Sequence, residues 1–365
     1  MTIEIPSKMR AALLHGRGGP EMLELRDDVP VPAIQKDEAL IKVSACGLNN
    51  TDINTRVGWY SRSVTSATAN SGFKEAQVED ATWGRSGLQF PRIQGADVSG
   101  YVVMVGDEGD QSLVGKRVIA NPCVRDKNEP SNRELAGYIG SERDGGFAEY
   151  CALPIRNIHA VETNLTDIEL ASFPCSWAAA EHMLQRVQLE AGQSIAVTGA
   201  SGGVGTALVQ LAKRREATVY AVASSQKLDR VKSVGADVVV ARETANTPAE
   251  IEALNGKKID VVADVVGGED FTDWLEVLRR GGKYVTAGAI AGPVVDLDLR
   301  TLYLKDLELY GATVFDSALF EDLVGYIERG EVQPQVDKVF NFEEIHEAQR
   351  IFTLKEHVGS IVLTF

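Results

Sequence analysis

A glycine-rich turn between an apolar strand and an apolar helix carries the clearest chemical signal in this chain of 365 residues. Residues 194–212 read as a buried strand, the turn and the helix, with glycines at Gly202, Gly203 and Gly205. Without side chains there, the backbone could approach a pyrophosphate and the helix could pack on its strand, while the first free helix amides face the anion. A second apolar strand at 217–222 completes a unit of about thirty residues. The pattern predicts a dinucleotide site and nicotinamide chemistry, with an ordinary glycine-rich turn as the alternative.

The residues after the second strand bear on which dinucleotide would bind. In this fingerprint an acidic residue about twenty positions beyond the turn binds the ribose 2′-hydroxyl of NAD, and this chain has Ser224 there. Ser225, Lys227 and Arg230 follow. Hydroxyl and cationic groups would donate hydrogen bonds to a 2′-phosphate without repelling it. These residues predict NADPH; the alternative is that Ser225 caps the next helix and the basic residues lie on its solvated face.

The composition is that of a globular protein with an acidic balance. The chain has 37 basic and 52 acidic residues, a net charge of −15, and 44% hydrophobic residues. This charge would repel nucleic acid and anionic lipid over most of the surface. No apolar run reaches the roughly twenty residues of a membrane span, and the N-terminal residues lack the hydrophobic stretch of a signal peptide. We therefore expect a cytoplasmic protein that binds neither nucleic acid nor membranes.

The cysteines and histidines show no spacing typical of metal ligands or of a disulfide framework. No Cys-x-x-Cys pair is present, and the four cysteines lie far apart, at Cys46, Cys123, Cys151 and Cys175. The five histidines are likewise scattered. We expect reduced thiols and no metal site.

Two kinds of hydrophobic pattern must supply the scaffold for these residues. Up to about residue 160, short apolar runs alternate with turns, as at 39–43 and 100–105, which predicts an antiparallel, barrel-like β domain. From about 164 to 313, apolar strands alternate with helices, which predicts about six strands in a parallel, doubly wound sheet. An isolated strand at 359–364 must pair elsewhere, and we expect it to join the first domain.

The order of several short motifs resembles the medium-chain dehydrogenase/reductase superfamily, and within it the zinc-free quinone oxidoreductase branch. The motifs on which the resemblance rests lie along nearly the whole chain. They are ACGLNNTD (45–52), IQGADVSG (93–100), DGGFAEY (144–150), the glycine turn (200–205), LRTLYLKD (299–306) and the ending at Gly359. The resemblance implies an α/β fold with a GroES-like β-barrel catalytic domain at 1–163, a Rossmann-type nicotinamide dinucleotide-binding domain at 164–313, and a return of 314–365 to the catalytic domain.

The resemblance also implies the cofactor contacts and the assembly. NADPH would contact the glycine turn, the end of the second strand and two later loops, through Ser201, Gly202, Gly203, Val204, Ser224, Ser225, Lys227, Val266, Gly288 and Ala289. The expected assembly is a homodimer or homotetramer.

Zinc alcohol dehydrogenases of the superfamily hold a catalytic metal with two cysteines and a histidine. By the resemblance, the corresponding places in this chain carry Asn49, Ala96 and Cys175. A catalytic zinc needs about three protein ligands and an open position, which one thiol, an amide and a methyl group cannot supply. We therefore expect a zinc-independent enzyme. Asp97 is an acidic residue next to Ala96, which stands where the zinc enzymes have their histidine. Its side chain would serve either the chemistry or the structure, as a buried carboxylate satisfied by hydrogen bonds.

Without a Lewis acid, the easiest reaction for such a site is hydride delivery to an activated double bond, because the carbonyl of the substrate delocalises the developing charge as an enolate. We expect an enone, quinone or aldehyde substrate, with Asn49, Asp52, Tyr60 and Cys175 as candidate catalytic residues. Asn49 could bind the nicotinamide carboxamide or the substrate oxygen, and the others could relay a proton or simply pack in the wall. The alternatives are an alcohol dehydrogenase or carbonyl reductase, and a non-enzymatic NADPH-binding protein.

The segment between Gly58 and Pro91 is longer than the connection typical of the branch. It carries Trp59, Tyr60 and Trp83 among small and polar residues. Because loops of this length are usually functional or disordered, we predict a partial lid that places these rings on a flat or aromatic substrate. A surface loop or a subunit contact is the alternative.

Overall fold

The computed structural model describes residues 4–68 and 87–365. Short strands dominate the first part of the chain. They are β1 (Lys8–Leu14), β2 (Leu23–Pro30), β3 (Glu38–Gly47), β4 (Arg92–Ile93), β5 (Asp97–Val105), β6 (Arg117–Ala120), β7 (Cys123–Val124), β8 (Gly137–Tyr138), β9 (Tyr150–Pro154) and β10 (Ile158–Ala160), with helix α1 (Asn50–Val57) after β3.

Helices and strands alternate in the remainder. The elements are α2 (Asp167–Leu170), α3 (Pro174–Arg186), β11 (Ser194–Val197), α4 (Gly203–Arg214), β12 (Thr218–Ala223), α5 (Leu228–Val234), β13 (Val238–Ala241), α6 (Thr247–Asn255), β14 (Ile259–Asp264), α7 (Phe271–Val277), β15 (Leu278–Thr286), α8 (Leu299–Leu304), β16 (Glu308–Gly311), α9 (Ser317–Glu328), β17 (Val336–Asn341), α10 (Ile345–Thr353) and β18 (Ser360–Thr364).

A six-stranded parallel sheet carries the glycine turn, in the order β13-β12-β11-β14-β15-β16. The central strand β11 is buried throughout, as expected of a parallel sheet covered by helices on both faces. The chain runs outward from β11 to β13 and then crosses back to β14. Ligands bind at the carboxyl ends of the strands where the order reverses in this way. The doubly wound, Rossmann-type sheet predicted from the sequence is confirmed.

The strands of the first part form antiparallel sheets. The largest follows the path β10-β6-β5-β3-β18-β17, and β9 also pairs with β3. Strands β2, β1 and β4 form a second sheet, and β7 and β8 a third. The closing strand β18 pairs antiparallel with β3 and parallel with β17, so the end of the chain lies within the sheet of the first part.

Helix α3 lies between the two regions. Trp177 and Phe173 pack against each other there, with ring centroids 4.8 Å apart, inside the apolar core that also holds β11 and α4. A second core fills the antiparallel sheets around Phe147 and Leu40. In the part of the chain that the structure describes, no helix is both long and apolar enough to cross a bilayer.

Candidate functional site

The glycine turn joins β11 to α4 at the carboxyl edge of the parallel sheet. Gly202 precedes the first helical residue, Gly203. A Cβ atom on Gly205 would lie 2.2 Å from the carbonyl oxygen of Gly199, and one on Gly203 would lie 3.2 Å from Cβ of Ser176. Glycine therefore lets α4 approach the strand end and α3 closely. Amides in the first turn of a helix have no partner within it, so this turn is suited to a phosphate group.

Two further loops, after β14 and β15, lie at the same edge of the sheet. The carbonyl oxygen of Val266 in the first loop accepts a hydrogen bond from the N–H of Ala291 in the second, at 2.8 Å. A Cβ atom on Gly288 would lie 3.2 Å from the carbonyl oxygen of Val265. Val266, Gly288 and Ala289 therefore lie in two loops packed together at the edge that carries the glycine turn.

The residues after β12 also lie beside the glycine turn. Ser224 follows the strand, and Ser225 begins a single helical turn. Lys227, at the end of that turn, points back so that its Nζ lies 3.4 Å from Oγ of Ser201. The structure thus brings a hydroxyl and an ammonium group together where the sequence predicts the adenosine ribose.

Acidic residues also lie near the turn that follows β12. The N–H of Ser225 donates to Oε2 of Glu243 at 3.0 Å. Arg230 forms an ion pair with Asp337 and is half exposed. Lys227 is therefore the cation that faces the glycine turn, whereas Arg230 belongs to a surface ion pair.

Lys355 is a second cation at this place, and sequence reasoning missed it. Its carbonyl oxygen accepts a hydrogen bond from Nζ of Lys227. Its own Nζ donates to Oδ1 of Asn50 at 2.6 Å and lies 3.9 Å from the ring centroid of Phe352. Burial and the charge of Lys227 lower the pKa of Lys355 to about 7. In the described residues the hydrogen bonds of both ammonium groups go to uncharged oxygens, which leaves a cationic site suited to a phosphate group.

Asp97 lies between the first turns of α1 and α3. Its Oδ2 accepts a hydrogen bond from Nδ2 of Asn49 at 2.8 Å, and its Oδ1 accepts one from the N–H of Cys175 at 2.6 Å. Asn49 caps α1, and its N–H donates to Oδ2 of Asp52 at 2.8 Å. Three of the four predicted catalytic residues, Asn49, Asp52 and Cys175, therefore surround Asp97, whose side chain is buried.

Burial perturbs the acids of this cluster. It raises the pKa of Asp52 and of Asp97 to about 7, although the hydrogen bonds that each carboxyl accepts lower the pKa in part. Burial also raises the pKa of the Cys175 thiol, and it raises the pKa of Tyr60 to about 12. The thiol and the phenol are therefore protonated at neutral pH, where the two carboxyl groups are near their midpoints. Perturbed acids that converge in this way are typical of catalytic sites.

Tyr60, the fourth predicted catalytic residue, lies just beyond α1. Its hydroxyl donates to Oγ1 of Thr51 at 3.3 Å. The neighbouring ring of Trp59 lies edge-on to it, with centroids 5.8 Å apart, and its Nε1 donates to the carbonyl oxygen of Ser66 at 3.1 Å. Tyr60 is thus held against the start of α1, and both aromatic residues are partly buried.

The start of the long segment crosses to the other sheet. The N–H of Thr68 donates to the carbonyl oxygen of Ile290 at 3.1 Å, in the loop that contains Ala289. Trp83, the third ring of the predicted lid, lies within 69–86 and so outside the described residues. The lid remains a prediction.

Tyr138 is a further residue that the sequence did not single out. It ends the two-residue strand β8, and its hydroxyl donates to Sγ of Cys175 at 3.0 Å. A tyrosine in so short a strand, with no motif around it, gives no sequence signal. Only the packing of the antiparallel sheet against α3 reveals the contact.

By the resemblance, Asn49, Ala96 and Cys175 stand at the zinc position of the alcohol dehydrogenases, and as a donor set they do not fit a metal. Asn49 and Asp97 are hydrogen-bonded to each other, Ala96 offers a methyl group, and only the thiol of Cys175 remains. Within residues 4–68 and 87–365, no group of three or more His, Cys, Asp or Glu side chains could hold a metal ion.

Comparisons with protein families cover both halves of the chain. Residues 35–163 match the family model for the alcohol dehydrogenase GroES-like domain, and residues 203–329 match the model for zinc-binding dehydrogenase. The first match confirms the GroES-like part of the predicted fold class. The second begins within the glycine turn, at Gly203, and covers five of the six strands of the parallel sheet, β12 to β16.

Individual relatives align over nearly the whole chain. The NADPH-dependent alkenal/one oxidoreductase of Arabidopsis thaliana is 30% identical over 98% of this chain and 80% of its own length. A quinone oxidoreductase of Mus musculus is 28% identical over 93% of this chain and 92% of its own length. A crystal structure of a provisionally named alcohol dehydrogenase from Sinorhizobium meliloti 1021 is 46% identical, covers 99% of this chain and 97% of its own, and superposes with a TM-score of 0.89. The chain belongs to the medium-chain dehydrogenase/reductase superfamily of oxidoreductases.

Proposed function

We propose that this oxidoreductase uses NADPH to reduce a quinone or an α,β-unsaturated carbonyl compound by hydride transfer, without a metal ion. The observation that carries the proposal is the cluster around Asp97. At the place that the resemblance assigns to the zinc of alcohol dehydrogenases, it offers an amide, a protonated thiol and buried carboxyl groups. Such groups can donate hydrogen bonds and protons to a substrate, but they cannot polarise an alcohol oxygen as zinc does.

The choice of NADPH rests on Lys227 and Lys355. Burial and the charge of Lys227 lower the pKa of Lys355, and in the described part of the chain no carboxylate hydrogen bond to either ammonium group relieves the repulsion between them. A 2′-phosphate carries close to two negative charges at neutral pH, so it would relieve the repulsion between the two cations. The ribose of NADH would not. One relative, the alkenal/one oxidoreductase of Arabidopsis thaliana, is named as NADPH-dependent, which agrees with this choice.

When bound, NADPH would supply a hydride to the substrate. The pyrophosphate would lie on Ser201, Gly202, Gly203 and Val204, and the nicotinamide against the loops with Val266, Gly288 and Ala289. Asn49 would orient the substrate oxygen or the carboxamide, because Asp97 fixes its side-chain amide at 2.8 Å. Tyr60 and Trp59 would form an apolar wall for the substrate. Quinones and enones fit this chemistry because their own carbonyl groups stabilise the added charge.

We also propose that the protein is a cytoplasmic homodimer. All four cysteines are free thiols, which suits a reducing compartment. The edge strand β16 of the parallel sheet exposes Leu309, and nearby α8 exposes Leu299 and Tyr303, which are 64% and 62% exposed. Among the described residues, no strand pairs with the outer edge of β16. Such an edge beside large apolar side chains is a pairing surface. A second copy of the chain could cover it through a two-fold contact.

A substrate panel tests the proposal. NADPH consumption by the purified protein would be followed with an alkenal, a cyclic enone, a benzoquinone and a saturated aldehyde, and NADP⁺ reduction would be followed with primary and secondary alcohols. We expect turnover of the enone or quinone and none of the alcohols. Zinc-dependent alcohol oxidation would support the alcohol dehydrogenase alternative, and tight NADPH binding without turnover would support a non-enzymatic role.

A further inference from the structure

Tyr138 is a buried acid that the proposed function leaves unused. It is 6% exposed, and its main-chain N–H is held by Oε2 of Glu142 at 3.0 Å. Its hydroxyl donates to Sγ of Cys175 across the contact between β8 and α3. A phenol in the core usually has a hydrogen-bond partner, and one partner of Tyr138 is a thiol that itself lies in the candidate site.

The hydrogen bond from Tyr138 to Cys175 sets the direction in which a proton can pass between them. A thiol is both a weak donor and a weak acceptor, so a sulfur atom that accepts the Tyr138 proton can turn its own S–H toward another group. The main-chain N–H of Cys175 is bound to Asp97, which holds the first turn of α3 beside Asn49. Burial raises the pKa of Tyr138 and of Cys175, so both groups carry their protons at neutral pH.

Other acids in the cluster are less suited to deliver a proton. Both carboxyl oxygens of Asp97 are already engaged, one by Asn49 and one by the N–H of Cys175. Asp52 is tied to the N–H of Asn49 in the capping box of α1. These carboxyl groups therefore position the Asn49 amide and the first turn of α3. The Cys175 thiol carries a proton and accepts a hydrogen bond from a second acid, Tyr138.

We propose that Cys175 delivers the proton to the α-carbon of a reduced enone and that Tyr138 is the positioning residue that orients its thiol and restores its proton. The proposal rests on the proposed function. Hydride addition forms the β C–H bond, and the π electron pair of the C=C bond moves onto the carbonyl to give an enolate. The enolate then forms an α C–H bond as the S–H bond breaks. The thiolate takes the proton of Tyr138, and the phenolate is reprotonated by water, so one hydride and one proton are consumed.

The test uses 2-methylcyclohex-2-enone, whose α-carbon becomes a stereocentre when it is protonated. For the wild type we expect one enantiomer of 2-methylcyclohexanone in excess, measured by chiral gas chromatography. Cys175→Ala should give a nearly racemic product, whereas Cys175→Ser, which retains an acidic hydrogen, should keep the excess. Equal enantiomeric excess in Cys175→Ala and the wild type would refute delivery by the thiol.

Tyr138→Phe removes only the hydroxyl group. We expect kcat to fall on the order of 100-fold, within the range of general acid catalysis, with KM and the Kd for NADPH unchanged. The solvent deuterium isotope effect on kcat should rise, because proton delivery becomes slower than hydride transfer. Tyr150→Phe, which removes a hydroxyl from strand β9, is the matched control. Wild-type kcat and isotope effect in Tyr138→Phe would overturn its role.

Failure of the two proposals can be told apart. If the wild type binds NADPH but reduces no enone, the proposed function itself is wrong, and the proton pathway falls with it. If the wild type reduces the enone and the variants keep its rate and stereochemistry, only the proton pathway is wrong. Thermal melting and NADPH fluorescence check that each variant is folded, and Cys175→Ser provides the decisive comparison if Tyr138→Phe does not fold.

Discussion

Replacing Lys355 by methionine removes an ammonium group from the predicted phosphate site while keeping most of the aliphatic stem. In the structure the main-chain carbonyl of Lys355 accepts a hydrogen bond from Lys227, and its ammonium group donates to Oδ1 of Asn50 at 2.6 Å. A hydrogen bond to a charged partner contributes about 1.5 to 3 kcal/mol. We therefore expect Lys355→Met to weaken NADPH binding by a factor of about 10 to 150, since about 1.4 kcal/mol corresponds to tenfold in Kd.

The pH dependence of NADPH binding gives a sharper test of the same residue. The pKa of Lys355 in the free protein is about 7, because of burial and the charge of Lys227, so the group loses its proton as the pH rises above 7. A phosphate favours the protonated form and raises this pKa, so binding above pH 7 must take up a proton. The affinity should then fall by nearly tenfold per pH unit between pH 7 and 9.

Other charged groups contribute to this linkage through Lys227. Burial and the charges of Arg242 and Arg230 lower the pKa of Lys227, whereas Asp337 and Glu356 raise it. The Lys355→Met variant retains these groups. Any pH dependence of the NADPH affinity that is present in the wild type and absent from this variant therefore comes from Lys355. The Kd would be measured by the enhancement of NADPH fluorescence at pH 7, 8 and 9.

The controls separate phosphate binding from general electrostatics. NADH, which lacks the 2′-phosphate, should bind wild type and Lys355→Met with affinities within about twofold of each other, because the ammonium group then has no phosphate group to pair with. Lys338→Met, which removes an exposed cation from β17, should leave the NADPH affinity unchanged. Unchanged NADPH affinity in Lys355→Met at pH 7, or a flat wild-type profile from pH 7 to 9, would refute the assignment.

The site and the surface give three other predictions. The double variant Trp59→Ala/Tyr60→Ala should raise KM for a bulky enone or quinone, with NADPH affinity and Tm nearly unchanged; wild-type kinetics with a Tm several degrees lower would instead mark a core contact. Treatment with EDTA should leave activity intact, and elemental analysis should find far less than one zinc per chain; one zinc lost together with activity would contradict the donor set around Cys175. Leu309→Asp should convert a dimer to monomers in light scattering, because it places a charge on the exposed edge of β16; a wild-type monomer would disprove the interface.

The sequence predicted the parts of the fold that local patterns encode. The strand, turn and helix around Gly202, Gly203 and Gly205 are present as expected. A Cβ atom at position 205 would lie 2.2 Å from a backbone oxygen, so only glycine fits there. The six parallel strands are also present, because buried central strands such as β11 read as continuous apolar runs.

The sequence could not predict contacts that depend on long-range packing. Lys355 lies 128 positions from Lys227, in a loop with no periodic pattern, and only the return of the chain beside the glycine turn brings them together. Tyr138 lies in a strand of two residues and meets Cys175 through the packing of β8 on α3. The sequence singles out Asp97, but its two hydrogen bonds, which distinguish a positioning role from a catalytic one, required the structure.

The most direct test of the proposed function is the fate of deuterium from NADPH labelled at C4. The purified protein would reduce cyclohex-2-enone with each of the two C4-deuterated epimers in turn, and the product would be examined by deuterium NMR. We predict that one epimer alone transfers its label, and that the label appears at the β-carbon of cyclohexanone. Deuterium on the carbinol carbon of cyclohex-2-enol would show carbonyl reduction instead, and it would contradict hydride transfer to the activated double bond.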